Sequence, residues 1–159
     1  MHIQLNEKQY FAETEVILNN TDFQKLRYYK QHNWTNRLTH SINVSYISWK
    51  IAKKLGCDAG TAARAGLLHD FCLFDFHKKT PTGEHQAFFH PKAAAENSVD
   101  YFAVTPKERD IILSHMFPLG PAPTSKEGWI VSIVDKICAI AELCDFPIVL
   151  AKPGVIALD

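Results

Sequence analysis

The sequence predicts an all-α fold, and three observations predict it. Apolar residues recur at helical spacing through most of the 159 residues, and capping signatures precede several of these stretches. No period-2 alternation bounded by turn residues marks a strand.

The elements follow in order. Asn6-Glu7-Lys8-Gln9 and Thr21-Asp22-Phe23-Gln24 have capping-box form, which predicts short helices over about 7–19 and 22–32, packed outside the chemical core. From Asn36, apolar positions at Leu38, Ile42, Ile47, Ile51 and Leu55 predict a long helix with His40 in its first turns, stopped at Gly56. Asp58 caps the next helix, whose Ala62, Ala63, Ala65 and Gly66 would let a neighbour approach closely, and which delivers His69-Asp70 at its C-terminal end. Residues 77–89 mix Pro, Gly, Thr and charge and read as a loop long enough to act as a lid.

His90-Pro91 then reads as a helix start, with proline in the first helical position, for a helix over about 91–103. Thr105-Pro106-Lys107-Glu108 is a capping box opening a helix that reaches His115. Three prolines and a glycine between Phe117 and Thr124 break the helical pattern. Thr124 or Ser125 caps a last long helix, apolar at Ile130, Val131, Ile133, Val134, Ile137, Ile140 and Ala141, with Asp135 inside it.

Composition bounds the function. An apolar fraction of 47% and a charged fraction of 21% are those of a globular protein. Seventeen basic residues balance seventeen acidic ones, so no extended nucleic-acid surface is evident and no membrane attraction is indicated. No apolar leader and no run of about 18 apolar residues occurs, which predicts a cytoplasmic location. The four cysteines lack CxxC spacing and read as small buried hydrophobes. Six of the eight histidines fall between residues 40 and 115, and this clustering is the chemical lead.

Asp135 lies in the apolar run Ile-Val-Ser-Ile-Val-Asp-Lys-Ile. A buried carboxylate needs a counter-charge, so it either pairs with a cation of the chain such as Lys136 or holds a metal. His90 is either a helix N-cap or a ligand, and His115 either a core histidine or a ligand. His77 and His85 sit in the polar loop, where exposure is the default.

The order His40, His69-Asp70, Asp135 resembles the H…HD…D signature of the HD superfamily of metal-dependent phosphohydrolases, from about Arg37 to Asp145. The phrases Ala65-Gly66-Leu67-Leu68-His69-Asp70 and Ile133-Val134-Asp135-Lys136 carry the likeness, with Arg37 one turn before His40. The chain is also similar to small bacterial HD proteins of undefined substrate that carry an HP pair and an H-M-x-P-L phrase, here His90-Pro91 and His115-Met116-Phe117-Pro118-Leu119.

The resemblance implies an HD-domain helical bundle: one domain over 1–159, with N-terminal helices to about 34, a metal-binding core over about 36–145 and a short C-terminal tail. The expanded pattern H…HD…H…H…D implies two divalent ions. His40, His69, Asp70 and Asp135 would hold the first, and Asp70, His90 and His115 the second. Nitrogen and oxygen ligands suit Fe, Mn, Co, Ni or Zn. Two cations about 3.5–4 Å apart activate water for attack at phosphorus, so Asp70 is a catalytic residue as well as a ligand. Lys136 is the favoured proton donor to the leaving group, although adjacent helical residues point about 100° apart.

Arg37 is assigned to phosphate binding or to orienting a carboxylate, and His85 and Lys78 to the substrate. Phe71, Phe74, Phe76, Phe88, Phe89 and Phe117 flank the ligands in sequence and form a core or a wall, of which one or two could stack a nucleobase. The expected partner is a small phosphorylated metabolite or nucleotide. Small HD proteins with this six-ligand order include diadenosine-tetraphosphate hydrolases. HD-fold di-iron oxygenases use the same ligands and are the alternative chemistry, with a non-catalytic metabolite-binding module behind them.

Overall fold

The computed structural model describes residues 5–32 and 35–144, with side chains described from Lys8 onward, and the expected C-terminal tail lies outside these residues. Among the described residues there are seven α-helices and no strand: α1 (Leu5–Leu18), α2 (Thr21–Gln24), α3 (Arg37–Lys54), α4 (Ala59–Leu68), α5 (Gln86–Tyr101), α6 (Pro106–Ser114) and α7 (Lys126–Leu143). The all-α expectation holds.

The caps explain most of the boundaries. Asn36 accepts from Thr39 N, Asp58 from Thr61 N and Ser125 from Gly128 N through their side chains, each satisfying a helix N–H that has no partner within the helix. The Thr105–Glu108 capping box is complete in both directions. After α3, Gly56 adopts φ +66°, a left-handed conformation that glycine reaches at no steric cost.

Two expectations need correction. The predicted second helix over 22–32 is shorter, because Asn20 rather than Thr21 caps it and the chain tightens into a 3-10 helix at Lys25–Tyr28 before turning extended at Tyr29. That turn brings Gln31 and His32 to the chemical pocket, so the N-terminal segment does not stay outside it. The predicted loop over 77–89 ends early, because α5 starts at Gln86 and His85 serves as its N-cap, accepting from Ala87 N through Nδ1. Pro91 therefore lies inside the helix, where it lacks only the N–H that would have reached the Ala87 carbonyl.

Two apolar clusters flank α3. One joins it to α1, α2, α4, α5 and α6 through Leu38, Ile42, Trp49, Leu67, Phe71 and Ile112. The other joins it to α4, α6 and α7 through Val44, Ala52, Ala65, Ile111, Val131 and Val134. Buried on both faces, α3 is the central strut, and its N-terminal end carries His40. The small residues of α4 do allow close approach: a Cβ on Gly66 would meet Ser45 Cα at 2.7 Å.

The cysteines divide. Cys72 and Cys138 are buried, but Cys57 is half-buried and Cys144 exposed, so only two behave as core residues. No described helix is long and apolar enough to cross a membrane.

Candidate metal centre

Three helix ends or first turns and two helix interiors converge on one cluster. His40 comes from the first turn of α3, His69 is the C-cap of α4 with Asp70 next to it, and His115 is the C-cap of α6. His90 lies in the second turn of α5, and Asp135 sits halfway along α7. All six expected ligands are buried.

Each imidazole is held from behind. His69 Nδ1 donates to Gly66 O at 2.8 Å, His90 Nδ1 to Gln86 O at 2.7 Å and His115 Nδ1 to Ile112 O at 2.7 Å. A carbonyl only accepts, so the proton resides on Nδ1 and Nε2 presents its lone pair to the cluster. His40 is backed instead by a carboxylate, its Nδ1 lying 3.0 Å from both oxygens of Glu142. This orientation of a ligating histidine by a carbonyl or carboxylate is characteristic of metal sites.

The Nε2 atoms and carboxylates meet in two groups. His40 Nε2 is 3.0 Å and His69 Nε2 3.4 Å from Asp135 Oδ1. His90 Nε2 and His115 Nε2 lie 3.0 Å apart and 3.4 and 3.6 Å from Asp70 Oδ1. Asp70 Oδ2 is 3.5 Å from His69 Nε2, which places this residue between the groups. His69 Nε2 and Asp70 Oδ1 are buried without a hydrogen-bond partner. Buried acceptors left without a partner in one cluster fit a bound cation.

Without an ion the carboxylates favour protonated rings on their side of the cluster, and His69 is raised along with His40. Burial pushes His40 down, but the hydrogen bonds to Asp135 and Glu142 outweigh it and raise the ring to about 10. Burial, with His69 and His90 beside it, pushes His115 down to about 3, so it stays neutral and able to ligate. Burial alone would raise Asp70 and Asp135, yet the surrounding histidines hold both carboxyls well below the usual carboxylate range.

A cavity of about 320 Å³ opens onto the cluster, lined by Asp70, His90, His115 and Asp135 with Gln31, His32, Phe76, Met116, Pro118, Leu119, Lys136 and Ala139. Lys136 therefore faces the site, with Nζ donating to His115 O at 2.8 Å and to Ser132 O and Oγ at 3.2 and 3.0 Å. Burial lowers its pKa.

The expected substrate residues are placed elsewhere. Arg37 is fully buried and outside the cavity wall: Nη1 donates to the carbonyls of Cys72 and Phe74, and Phe76 covers the guanidinium at 3.6 Å. Its reach to the cluster is indirect, through Gln31. Lys78 and His85 line a second groove of about 470 Å³ that shares Phe76 with the first. Of the six phenylalanines only Phe76 lines the metal-side cavity. Phe71 is in the core, Phe88 is exposed and Phe117 packs edge-on against Trp129.

Sequence reasoning did not find Gln31, His32 or Glu142. Glu142 had a signal, since it follows Asp135 by two helical turns and so shares its face of α7. Gln31 and His32 had none, because they sit in a turn without periodicity. A family model described as HD domain matches residues 37–140, which include all six ligands and none of these three. Ribonuclease Y of Clostridium perfringens (strain SM101 / Type A) is 57% identical over 35 residues, 22% of this chain and 7% of that protein. Ribonuclease Y of Mesoplasma florum is 45% identical over 62 residues, 38% of this chain and 12% of that protein. The matches thus span at most 12% of the length of these curated relatives.

Proposed function

Because the chain belongs to the HD domain family, whose members are generally metal-dependent hydrolases, we propose that it is a phosphohydrolase with a binuclear centre, cleaving a phosphate ester or anhydride of a small nucleotide-like metabolite. One observation carries this reading. His90 Nε2 and His115 Nε2 face each other at 3.0 Å beside the orphaned Asp70 Oδ1, a second ligand group next to that of His40, His69 and Asp135.

His40, His69, Asp70 and Asp135 would hold one divalent ion and Asp70, His90 and His115 the other, with Fe, Mn, Co, Ni and Zn all suited to the donor set. When bound, such a pair supplies a water of near-neutral pKa and charge neutralisation for attack at phosphorus. The chain's own residues do the rest. Phe76, Met116, Pro118 and Leu119 give the cavity an apolar wall. Lys136 lines the cavity with its pKa lowered by burial, and it would donate a proton to the departing oxygen by giving up one of its present hydrogen bonds. Lys78 and His85 would contact the far end of a substrate long enough to pass Phe76 into the second groove.

The test is product release from nucleoside mono-, di- and triphosphates, dinucleoside polyphosphates, sugar phosphates and a short RNA, with Mn, Co or Fe(II). The RNA is included because the partial relatives are ribonucleases by name. Turnover of a small nucleotide that vanishes in Asp70→Ala is expected. A panel on which wild type and Asp70→Ala are equally silent, with oxygen uptake by the iron-loaded protein, would overturn the hydrolase in favour of an oxygenase.

A further inference from the structure

Gln31 belongs to no helix, yet its amide is engaged at both ends. Nε2 donates to Asp70 Oδ2 at 2.7 Å, and Oε1 accepts from Arg37 Nε at 3.1 Å. These neighbours allow only one orientation of the amide, since a guanidinium can only donate and an ionised carboxylate only accept. Arg37 is fixed in turn by the carbonyls of Cys72 and Phe74 and by the ring of Phe76. The backbone of the turn is tied as well, with Gln31 N bonded to Thr35 O at 3.0 Å and Arg37 N to Tyr29 O at 2.8 Å. A rigid polar chain therefore runs from Arg37 through Gln31 to Asp70.

Its consequence is that the two oxygens of Asp70 are no longer equivalent. Oδ2 carries the Gln31 bond and lies on the His69 side at 3.5 Å. Oδ1 lies 3.4 Å from His90 Nε2 and 3.6 Å from His115 Nε2, buried and without a hydrogen bond. A free aspartate has a broad, soft terminal torsion, so one strong bond to one oxygen decides where the other points. We infer that Gln31, braced by Arg37, is a positioning residue that aims Asp70 Oδ1 at the His90–His115 half of the centre, and that it thereby controls occupancy of the second metal position. This rests on the two-ion reading above.

Cobalt(II) titration of metal-stripped protein, followed by visible absorption and elemental analysis, tests it on wild type, Gln31→Ala and Gln31→Met. Methionine keeps the length of the side chain without a donor, and circular dichroism melts identify any variant that loses the fold. Should Gln31→Ala do so, Gln31→Met decides. The expected result is two binding steps in wild type, with the tighter step preserved in the variants and the second weakened roughly ten- to a hundredfold, accompanied by a changed absorption band for that step. Variants that superpose on wild type in both steps would overturn the inference and leave the two-ion reading standing. A folded variant that loses both steps equally would overturn it also, since Gln31 would then support the whole centre. A single step in wild type would overturn the two-ion reading itself, and the inference with it.

Discussion

His90 Nε2 and His115 Nε2 stand 3.0 Å apart while each ring gives its Nδ1 proton to a backbone carbonyl. Two lone pairs at that distance repel unless a proton or a cation lies between them, and burial with neighbouring imidazoles pushes His115 down to about 3, away from the proton. The metal content should therefore divide. Wild type purified without chelator is expected to carry roughly two ions per chain, and His90→Ala and His115→Ala roughly one. His40→Ala, which opens the other half, should also lower the count while leaving the His90–His115 pair. Elemental analysis reads all three. Equal metal content in wild type and His115→Ala would sink the binuclear assignment.

Gly66 offers a check on the scaffold. Its added Cβ would meet the Ser45 backbone at 2.7 Å, and its carbonyl orients His69. Gly66→Ala should push α3 from α4, costing about 1–3 kcal/mol as an overpacked core does, and should weaken metal binding through His69. Gly60→Ala is the contrast. There the Cβ meets only the carboxylate end of Glu13, at 2.8 Å, which can swing away, so the gain in helix propensity of up to about 1 kcal/mol survives. Thermal melts should place the two variants on opposite sides of wild type.

Asp58 gives the acid side of the stability profile. It accepts from Thr61 N at 3.0 Å and from Thr61 Oγ1 at 2.8 Å, and these bonds to the carboxylate lower its pKa. A carboxyl depressed in the folded state contributes stability that is fully present above its unfolded pKa and is lost as pH falls through the folded value. Asp58→Ala should cost about 1 kcal/mol near neutrality, and less as the pH drops below the ordinary carboxylate range. Asp58→Asn should keep most of the cap while removing this pH dependence. Urea melts between pH 2 and pH 7, with pH values chosen about the ordinary carboxylate pKa, decide the matter.

Lys136 is tied to the carbonyl of the ligand His115 and also lines the cavity, so it could act on the reaction or on the ligand. As a proton donor its loss costs rate, not metal. Lys136→Met is expected to lower kcat by about 10²-fold or more with the metal content of wild type. Metal loss of the same size as the rate loss would reassign it to holding His115.

How much of this was legible in the sequence depends on periodicity. His40, His69, Asp70 and Asp135 could be placed because helical spacing and caps fix where on a helix each one falls, and the fold followed from the same signals. The start of α5 could not, because Pro91 imitates a first-turn proline while the actual cap, His85, uses a ring nitrogen that no common capping pattern includes. Arg37 was left between phosphate and a carboxylate, and its link to Asp70 runs through the amide of Gln31, six residues away in a turn, a contact by an irregular segment that leaves no mark on the sequence. The expected substrate roles of Lys78 and His85 depend on whether the second groove is used, which only the fold brings into view.

Glu142 tests the other half of the centre from outside the ligand set. Both its oxygens lie 3.0 Å from His40 Nδ1, and Thr35 Oγ1 donates to it at 3.1 Å. The carboxylate fixes the ring so that Nε2 points to Asp135, and its charge makes His40 a stronger donor to a metal. Glu142→Gln keeps an acceptor of similar shape and should lower affinity for the His40-side ion by roughly tenfold. Glu142→Ala, which frees the ring to rotate, should approach the hundredfold end of the range seen for partners behind a ligating histidine. The second ion, held by residues that Glu142 does not touch, should be affected least. In the same cobalt titration Glu142 and Gln31 variants would then lose opposite steps, and a Glu142→Ala protein that bound both ions as wild type does would show that His40 needs no carboxylate behind it.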